Sequence, residues 1–102
     1  MNLIHKLQPQ IEKIKTINRR LGFEMSCDLE VANLCAIVAR GCHRNWLELG
    51  TGTGLSTLFL AEVLEAGRLD TVNVNEEYSK AAQSVIGPKQ AYNLSLRMVE
   101  IF

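Results

Sequence analysis

The 102-residue sequence lacks several features that would place it in a specialised class of protein. Its net charge is zero because 11 basic residues balance 11 acidic ones, so we expect no general attraction to nucleic acid or to an anionic membrane. Aromatic residues make up only 6% of the chain, and no apolar run approaches the roughly 18 residues that span a bilayer. What remains is the composition of one small globular domain.

Cysteine patterns that would signal a metal or redox site are also missing. Cys27, Cys35 and Cys42 are separated by eight and seven positions, which matches no CxxC arrangement. An odd number of cysteines, with no pattern of a secretory leader ahead of them, predicts reduced thiols and a cytoplasmic location. Histidine, aspartate and glutamate form no cluster with ligand spacing either, so no bound metal is expected.

The first part of the chain has the apolar periodicity of helices. Residues 3–21 place apolar side chains at steps of mostly three and four, which predicts an amphipathic helix that Pro9 starts or kinks and that Gly22 ends. A second helix is predicted to begin near Ser26 or Asp28. The apolar face that we expect this helix to bury consists of Val31, Leu34, Cys35 and Val38.

From Trp46 onward the pattern alternates between strands and helices. The predicted strands are 46–49 and 69–74, with a third at 94–98, and the predicted helices are 55–66 and 76–86. Such alternation predicts an α/β fold with a parallel sheet. We therefore expect an N-terminal helical segment, 1–45, followed by a partial Rossmann-like half-domain, 46–102.

A glycine-rich loop separates the first strand from the helix that follows. Its glycines are Gly50, Gly52 and Gly54, which gives the spacing G-x-G-x-G. The dinucleotide fingerprint requires G-x-G-x-x-G, and the phosphate-binding loop requires a lysine where this chain has Leu55. Both nucleotide-binding interpretations are therefore weakened. Bare backbone at a helix N-terminus still favours an anionic ligand such as a carboxylate.

The segment from Leu47 to Thr57, LELGTGTGLST, resembles motif I of the class I S-adenosylmethionine (SAM)-dependent methyltransferases. Together with the preceding helix, it is similar to the small-molecule O-methyltransferases of the catechol and caffeoyl-CoA type. The resemblance implies SAM as cofactor, with Glu48 near its ammonium group and the hydroxyl of Ser56 near its carboxylate. The cofactor-binding residues that it implies are Glu48, Gly50, Thr51, Gly52, Gly54, Ser56 and Asn73.

Asn73 departs from the pattern of that family. Members carry an acid at the end of the second strand, where it accepts hydrogen bonds from both ribose hydroxyls. An amide offers one acceptor oxygen, so we expect SAM to bind about 1–2 kcal/mol more weakly, or roughly tenfold. Asn75 falls where the family often places an aspartate or asparagine beside the adenine.

The family has a seven-stranded sheet, and this chain predicts only part of one. We therefore expect a truncated or partial methyltransferase that lacks the site for its small-molecule methyl acceptor, and we assign no catalytic residue. One alternative is a non-catalytic remnant that acts as an interaction module and forms a homodimer through an exposed sheet edge. Another is an unrelated nucleotide-binding or oxidoreductase domain, which the loop spacing disfavours.

Overall fold

The computed structural model describes residues 3–24, 26–40, 45–64, 68–87, 90 and 94–98. Within these residues the helices are α1 (Leu3–Lys6), α2 (Gln8–Leu21), α3 (Leu29–Ala39), α4 (Leu55–Val63) and α5 (Glu76–Val85). The strands are β1 (Trp46–Leu49), β2 (Leu69–Asn73) and β3 (Leu94–Met98). Strands and helices alternate from β1 onward, so the predicted α/β class is confirmed.

The three strands form one parallel sheet in the order β1-β2-β3, which leaves β1 at an edge. Leu47 pairs with Asp70 and Leu49 with Val72, so these four side chains share one face of the sheet. Leu47 and Leu49 are 66% and 73% exposed, whereas Leu69 on the opposite face is fully buried. The sheet is therefore covered on one face and open at β1 on the other.

Pro9 divides the predicted N-terminal helix into two. The amide of Leu7 still donates to the carbonyl of Leu3, but Pro9 lies in the first turn of α2, where a missing N–H group costs nothing. Gly22 ends α2 in the left-handed conformation, with φ of 68°. Both the break at Pro9 and the stop at Gly22 are as predicted.

The predicted buried face of the second helix is wrong. Its members Val31, Leu34, Cys35 and Val38 are exposed, and α3 instead packs on α4 through three alanines, Ala32, Ala36 and Ala39. Small side chains allow two helices to approach closely, and here that close approach determines which face is buried. Asp28 is the residue before the helix, although its side chain makes no capping hydrogen bond.

One hydrophobic core joins the N-terminal helices to the rest of the chain. Ile11 and Ile14 of α2 are fully buried together with Leu58 and Phe59 of α4, and all belong to one cluster. Side chains from both of the predicted segments, 1–45 and 46–102, thus share this core. In the part of the chain that the structure describes, no helix combines the length and apolar character needed to cross a membrane.

A buried polar network fastens the helices on the covered face of the sheet. The carboxylate of Glu62, with its side chain 2% exposed, pairs with Lys6 at 2.9 Å and accepts a hydrogen bond from Gln90 at 2.8 Å. The Oε1 atom of Gln90 accepts from the amide of Gly87 at 2.8 Å and from Gln10 at 3.3 Å. Gln90 therefore links α2 and α4 to the segment that follows α5.

Replacing Gln90 should show what this network contributes to stability. Gln90→Leu leaves buried partners without their hydrogen bonds, and we expect it to lower the free energy of unfolding by about 2–4 kcal/mol. Urea denaturation followed by circular dichroism measures this change. The matched control is Gln8→Leu, whose bond to Glu12 is exposed, and it should change stability by less than about 0.5 kcal/mol. Equal losses in the two variants would contradict the assignment.

Candidate functional site

The glycine loop makes a sharp bend between β1 and α4. Gly50, Gly52 and Gly54 have φ angles of 91°, 56° and 100°, a region that side chains disfavour. The amides of Gly50 and Thr51 both donate to the carbonyl of Val72, at 2.8 and 3.1 Å, which anchors the loop to the end of β2. The predicted bend is confirmed, and it places the N-terminus of α4 at the carboxyl edge of the sheet.

The three glycines have different surroundings. A Cβ atom on Gly54 would lie 3.0 Å from the Cβ of Ala82, so the missing side chain there lets α5 approach the start of α4. A Cβ on Gly52 would lie 2.9 Å from the ring of Phe23. Around Gly50 there is open space. Bare backbone is therefore accessible to a ligand at Gly50, whereas at Gly52 and Gly54 it is covered by other parts of the chain.

The carboxylate of Glu48 is held by hydroxyl groups from two other elements. It accepts hydrogen bonds from Ser56 at 2.5 Å, from Thr57, and from Thr71 of β2 at 2.7 Å. Thr71 also lies 2.6 Å from the hydroxyl of Thr51. Because the single proton of Thr71 goes to Glu48, Thr51 must be the donor to Thr71. Glu48 thus has a defined orientation beside the loop before any ligand binds.

Ser56 donates to Glu48 and so does not point its proton at a ligand. Its oxygen keeps lone pairs that can accept a hydrogen bond, for instance from an ammonium group. The resemblance implies that Ser56 lies near a carboxylate, and that role stays a prediction. The N-terminal amides of α4 offer an alternative set of donors to a carboxylate.

A cavity of about 160 Å³ lies against the loop. Four of the predicted site residues line it, namely Gly50, Thr51, Gly52 and Ser56. Its other walls include residues from the linker between α2 and α3, namely Phe23, Ser26 and Cys27. The linker residues were not predicted because no motif marks them and the chain brings them to the loop only through the packing of α2.

Asn18 fixes that linker over the loop. Its side-chain oxygen accepts from Thr53 at 2.5 Å, and its side-chain nitrogen donates to Ser26 at 2.8 Å. Its carbonyl also accepts from the amide of Phe23 at 3.0 Å. The ring of Phe23 packs on that of Tyr78 in the first turn of α5, with centroids 4.7 Å apart. One residue near the end of α2 therefore positions both sides of the cavity.

Asn73 lies at the end of β2, next to the loop. Its side chain is buried, and its nitrogen donates to the carbonyl of Gly52 over 3.4 Å while its oxygen accepts from the amide of Val74. Val74 is exposed and lines an open groove of about 490 Å³ with Asn75 and the start of α5. Asn73 therefore connects the loop that lines the small cavity with the strand end that lines this groove.

Asn75 has a structural role. Its side-chain oxygen accepts a hydrogen bond from the amide of Tyr78 at 3.0 Å, which caps the N-terminus of α5. This capping is compatible with a place beside the groove, since Asn75 also lines it.

Cys27 is not an activated thiol. Burial raises its pKa above the usual value, and the neighbouring Cys35 and Glu48 raise it further. A thiol with a raised pKa stays protonated and is a poor nucleophile near neutral pH. Cys35 is exposed, and Cys42 lies outside the described residues. Across the described ranges, histidine, cysteine and acidic side chains form no group of three that could hold a metal ion.

Several solved structures that this chain resembles are methyltransferases. The O-methyltransferase TomG from Streptomyces achromogenes, in complex with SAM, matches with a TM-score of 0.80 and 23% identity over 89% of this chain and 43% of that one. The O-methyltransferase from Bacillus cereus, in complex with S-adenosylhomocysteine (SAH), gives 0.75 and 24% over 88% and 43%. A methyltransferase from Geobacter sulfurreducens gives 0.72 and 12% over 90% and 48%.

These similarities show the fold. The chain has part of the Rossmann-like fold of the class I methyltransferases, as predicted, and it spans about 43% of the length of the first two structures that it matches. No protein-family model and no curated protein matches the sequence.

Thr71 provides a test of how firmly Glu48 is held. Thr71→Val keeps the shape of the side chain but removes the donor to Glu48, in a part-buried bond, and the acceptor for Thr51, in a buried one. We expect the free energy of unfolding to fall by about 1–3 kcal/mol. Thr16→Val removes a comparable hydroxyl on the exposed surface of α2 and should cost less than about 0.5 kcal/mol. Thermal or urea unfolding of both variants measures the difference, and a Thr71 variant as stable as the control would refute the role given to Thr71.

Proposed function

We propose that this chain binds SAM and is the cofactor-binding part of a methyltransferase that acts on an oxygen atom of a small molecule. The observation that supports this most directly is the left-handed glycine bend, which leaves Gly50 bare beside the oriented carboxylate of Glu48. The site lies at the carboxyl edge of a parallel sheet, where α/β folds bind their ligands. Two of the most similar structures are O-methyltransferases in complex with SAM or SAH.

The residues at the loop fit the amino-acid end of SAM. Glu48 offers its carboxylate to an ammonium group, and the first amides of α4 offer donors to a carboxylate. Apart from the ring of Phe23, the cavity of about 160 Å³ is lined by backbone, hydroxyls, the thiol of Cys27 and Leu55, which suits a zwitterion attached to a short apolar chain. The polar groups at the loop therefore match both charges of that end of the cofactor.

The groove on the other side of Asn73 fits the nucleoside end. The oxygen of Asn73 would accept from a ribose hydroxyl, and the exposed Val74 would contact the adenine. Asn73 provides one acceptor oxygen where a carboxylate would provide two, so the proposal includes weakened SAM binding.

The bound sulfonium supplies an electrophilic methyl group, and the protein's task is to align it with the acceptor. Glu48, Asn73 and the loop hold the cofactor, and we assign no described residue to the acceptor. Methyl transfer and the choice of a small-molecule acceptor are thus proposed for the whole protein.

Free thiols at Cys27 and Cys35, together with balanced charge, support a cytoplasmic location without nucleic-acid or membrane partners.

Ligand binding to Asn73 variants tests this proposal. We expect SAM and SAH to raise the midpoint of thermal unfolding, because a ligand that binds only the folded state stabilises it, and NAD to leave it unchanged. Asn73→Asp should tighten SAM binding about tenfold in a calorimetric titration, because the second oxygen outweighs the loss of the long bond to Gly52.

The control for added charge is Asn45→Asp. Asn45 is exposed just before β1, at the end of that strand opposite the glycine loop, and its side-chain oxygen accepts from the amide of Arg68 at 3.2 Å. Aspartate keeps that acceptor, so this variant carries the same new charge outside the proposed site and should bind SAM with unchanged affinity. Alkylation of Cys27, followed by mass spectrometry, locates the ligand, since SAH in the small cavity should slow it. Stabilisation by NAD alone would refute the proposal, and no gain in a folded Asn73→Asp variant would refute the placement of Asn73.

A second proposal concerns the open edge of the sheet. The amides of Trp46 and Gly50 point toward β2, so by alternation those of Leu47 and Leu49 point outward from β1. The same two leucines expose most of their side chains. We propose that two copies of the chain pair through β1 across a twofold axis, which would satisfy these amides and cover the leucines.

Lysine substitutions distinguish this interface from another exposed apolar face. Leu47→Lys combined with Leu49→Lys puts like charges on both sides of the axis and should convert a dimer to a monomer in light scattering coupled to size exclusion. Leu34→Lys, on the exposed side of α3, should leave the dimer intact. A monomeric wild-type chain at high concentration would rule out the pairing, and dissociation by Leu34→Lys alone would move the interface to α3.

A further inference from the structure

The ring of Phe23 lies where the two halves of the proposed cofactor site meet. Two of its atoms, Cζ and Cε2, are 2.9 and 3.1 Å from the position that a Cβ on Gly52 would take. On its other side the ring packs on Tyr78, with an angle of 58° between the planes. Phe23 is therefore in van der Waals contact with the loop and with the first turn of α5.

The volumes of the two cavities show why this position matters. Ligand sites commonly measure about 300–1,000 Å³, and the cavity at the loop measures about 160 Å³. The groove beside Val74 measures about 490 Å³ but does not include the loop residues. A nucleoside joined to an amino acid needs both spaces, and Phe23, which covers Gly52 at the loop and packs on Tyr78 in the first turn of α5, lies between them.

We infer that Phe23 sets the cofactor affinity of this chain by occupying, in the free protein, space beside Gly52 that the bound nucleoside needs. The inference rests on the proposed function. Binding then requires the ring to leave Gly52 and Tyr78, and the free energy of that contact is subtracted from the binding free energy. Phe23 thus acts as an affinity-determining residue without being part of the chemistry.

The movement is confined to the side chain. The amide of Phe23 is bonded to the carbonyl of Asn18, and the side chain of Asn18 holds Ser26 and Thr53 as well. These bonds keep the backbone on both sides of Phe23 in place over the loop. Rotation about the side-chain torsions of Phe23 is enough to open the space, because the ring is only partly buried.

A permanent wall and a movable obstruction predict opposite effects of a smaller side chain. If the ring were a wall against which the cofactor packs, a shorter residue would remove contacts and weaken binding. If the ring obstructs the site, a shorter residue removes the obstruction and strengthens binding. We expect Phe23→Leu to bind SAH about three- to tenfold more tightly than the wild type, which is what release of one aromatic pair is worth.

Calorimetric titration with SAH, on the wild type, Phe23→Leu and Leu21→Ala, measures this difference. Leu21 is half-buried at the end of α2 and packs on the core, so its variant loses apolar burial without opening Gly52 and should bind as the wild type does. Equal or weaker binding by Phe23→Leu, with a wild type that binds, would overturn the inference and leave the proposed function standing. Absence of binding by both folded proteins would overturn the two together.

Nuclear magnetic resonance on the wild-type chain gives a second readout that needs no substitution. Nuclear Overhauser effects between the ring protons of Phe23 and the Hα protons of Gly52 should be present in the free protein, because the two groups are in contact, and saturation with SAH should remove them as the ring departs. Effects that persist in the saturated complex would overturn the inference even if the variants behave as expected.

Discussion

The site depends on one carboxylate that joins three elements. Glu48 at the end of β1 accepts hydrogen bonds from hydroxyl groups in the first turn of α4 and from the hydroxyl of Thr71 in the middle of β2. A fourth hydroxyl, that of Thr51, is linked to Glu48 through Thr71. Hydrogen bonds to a charged group contribute about 1.5–3 kcal/mol each, more than those between neutral groups. The strand ends and the glycine bend are therefore set relative to one another by a group that is also suited to bind a cation.

Small residues allow the helices on the covered face of the sheet to pack closely against one another. Alanines of α3 bring it against α4, and Gly54 brings the start of α4 against Ala82 of α5. A glycine motif suggests contact with a ligand, but in this loop Gly54 allows two helices to pack, and Gly50 leaves backbone accessible to a ligand. Gly50, which faces open space, and Gly54, which faces a helix, illustrate that a motif does not by itself say which of its glycines is free.

Much of this architecture can be predicted from the sequence, because glycines and periodicity mark the ends of elements. The bend after Leu49, the stop at Gly22 and the parallel β3 all follow from such local patterns. The buried face of α3 could not be predicted, since both of its faces are apolar and only the close approach of α4 decides between them. The position of Phe23 beside Gly52 could not be predicted either, because it depends on the tertiary packing that brings the end of α2 to the loop.

The polar network around Gln90 has a consequence for synthesis of the chain. Gln10 and Gln90 are 80 positions apart, yet they share a hydrogen bond, and α2 buries its isoleucines in a core that α4 completes. At about 5–20 residues per second, a ribosome needs about 4–16 seconds to make the intervening segment. During that interval the isoleucines of α2 have emerged without their native partners. We therefore expect the apolar face of α2 to stay open to other apolar surfaces, including those of chaperones, until α4 and the segment that contains Gln90 have been made.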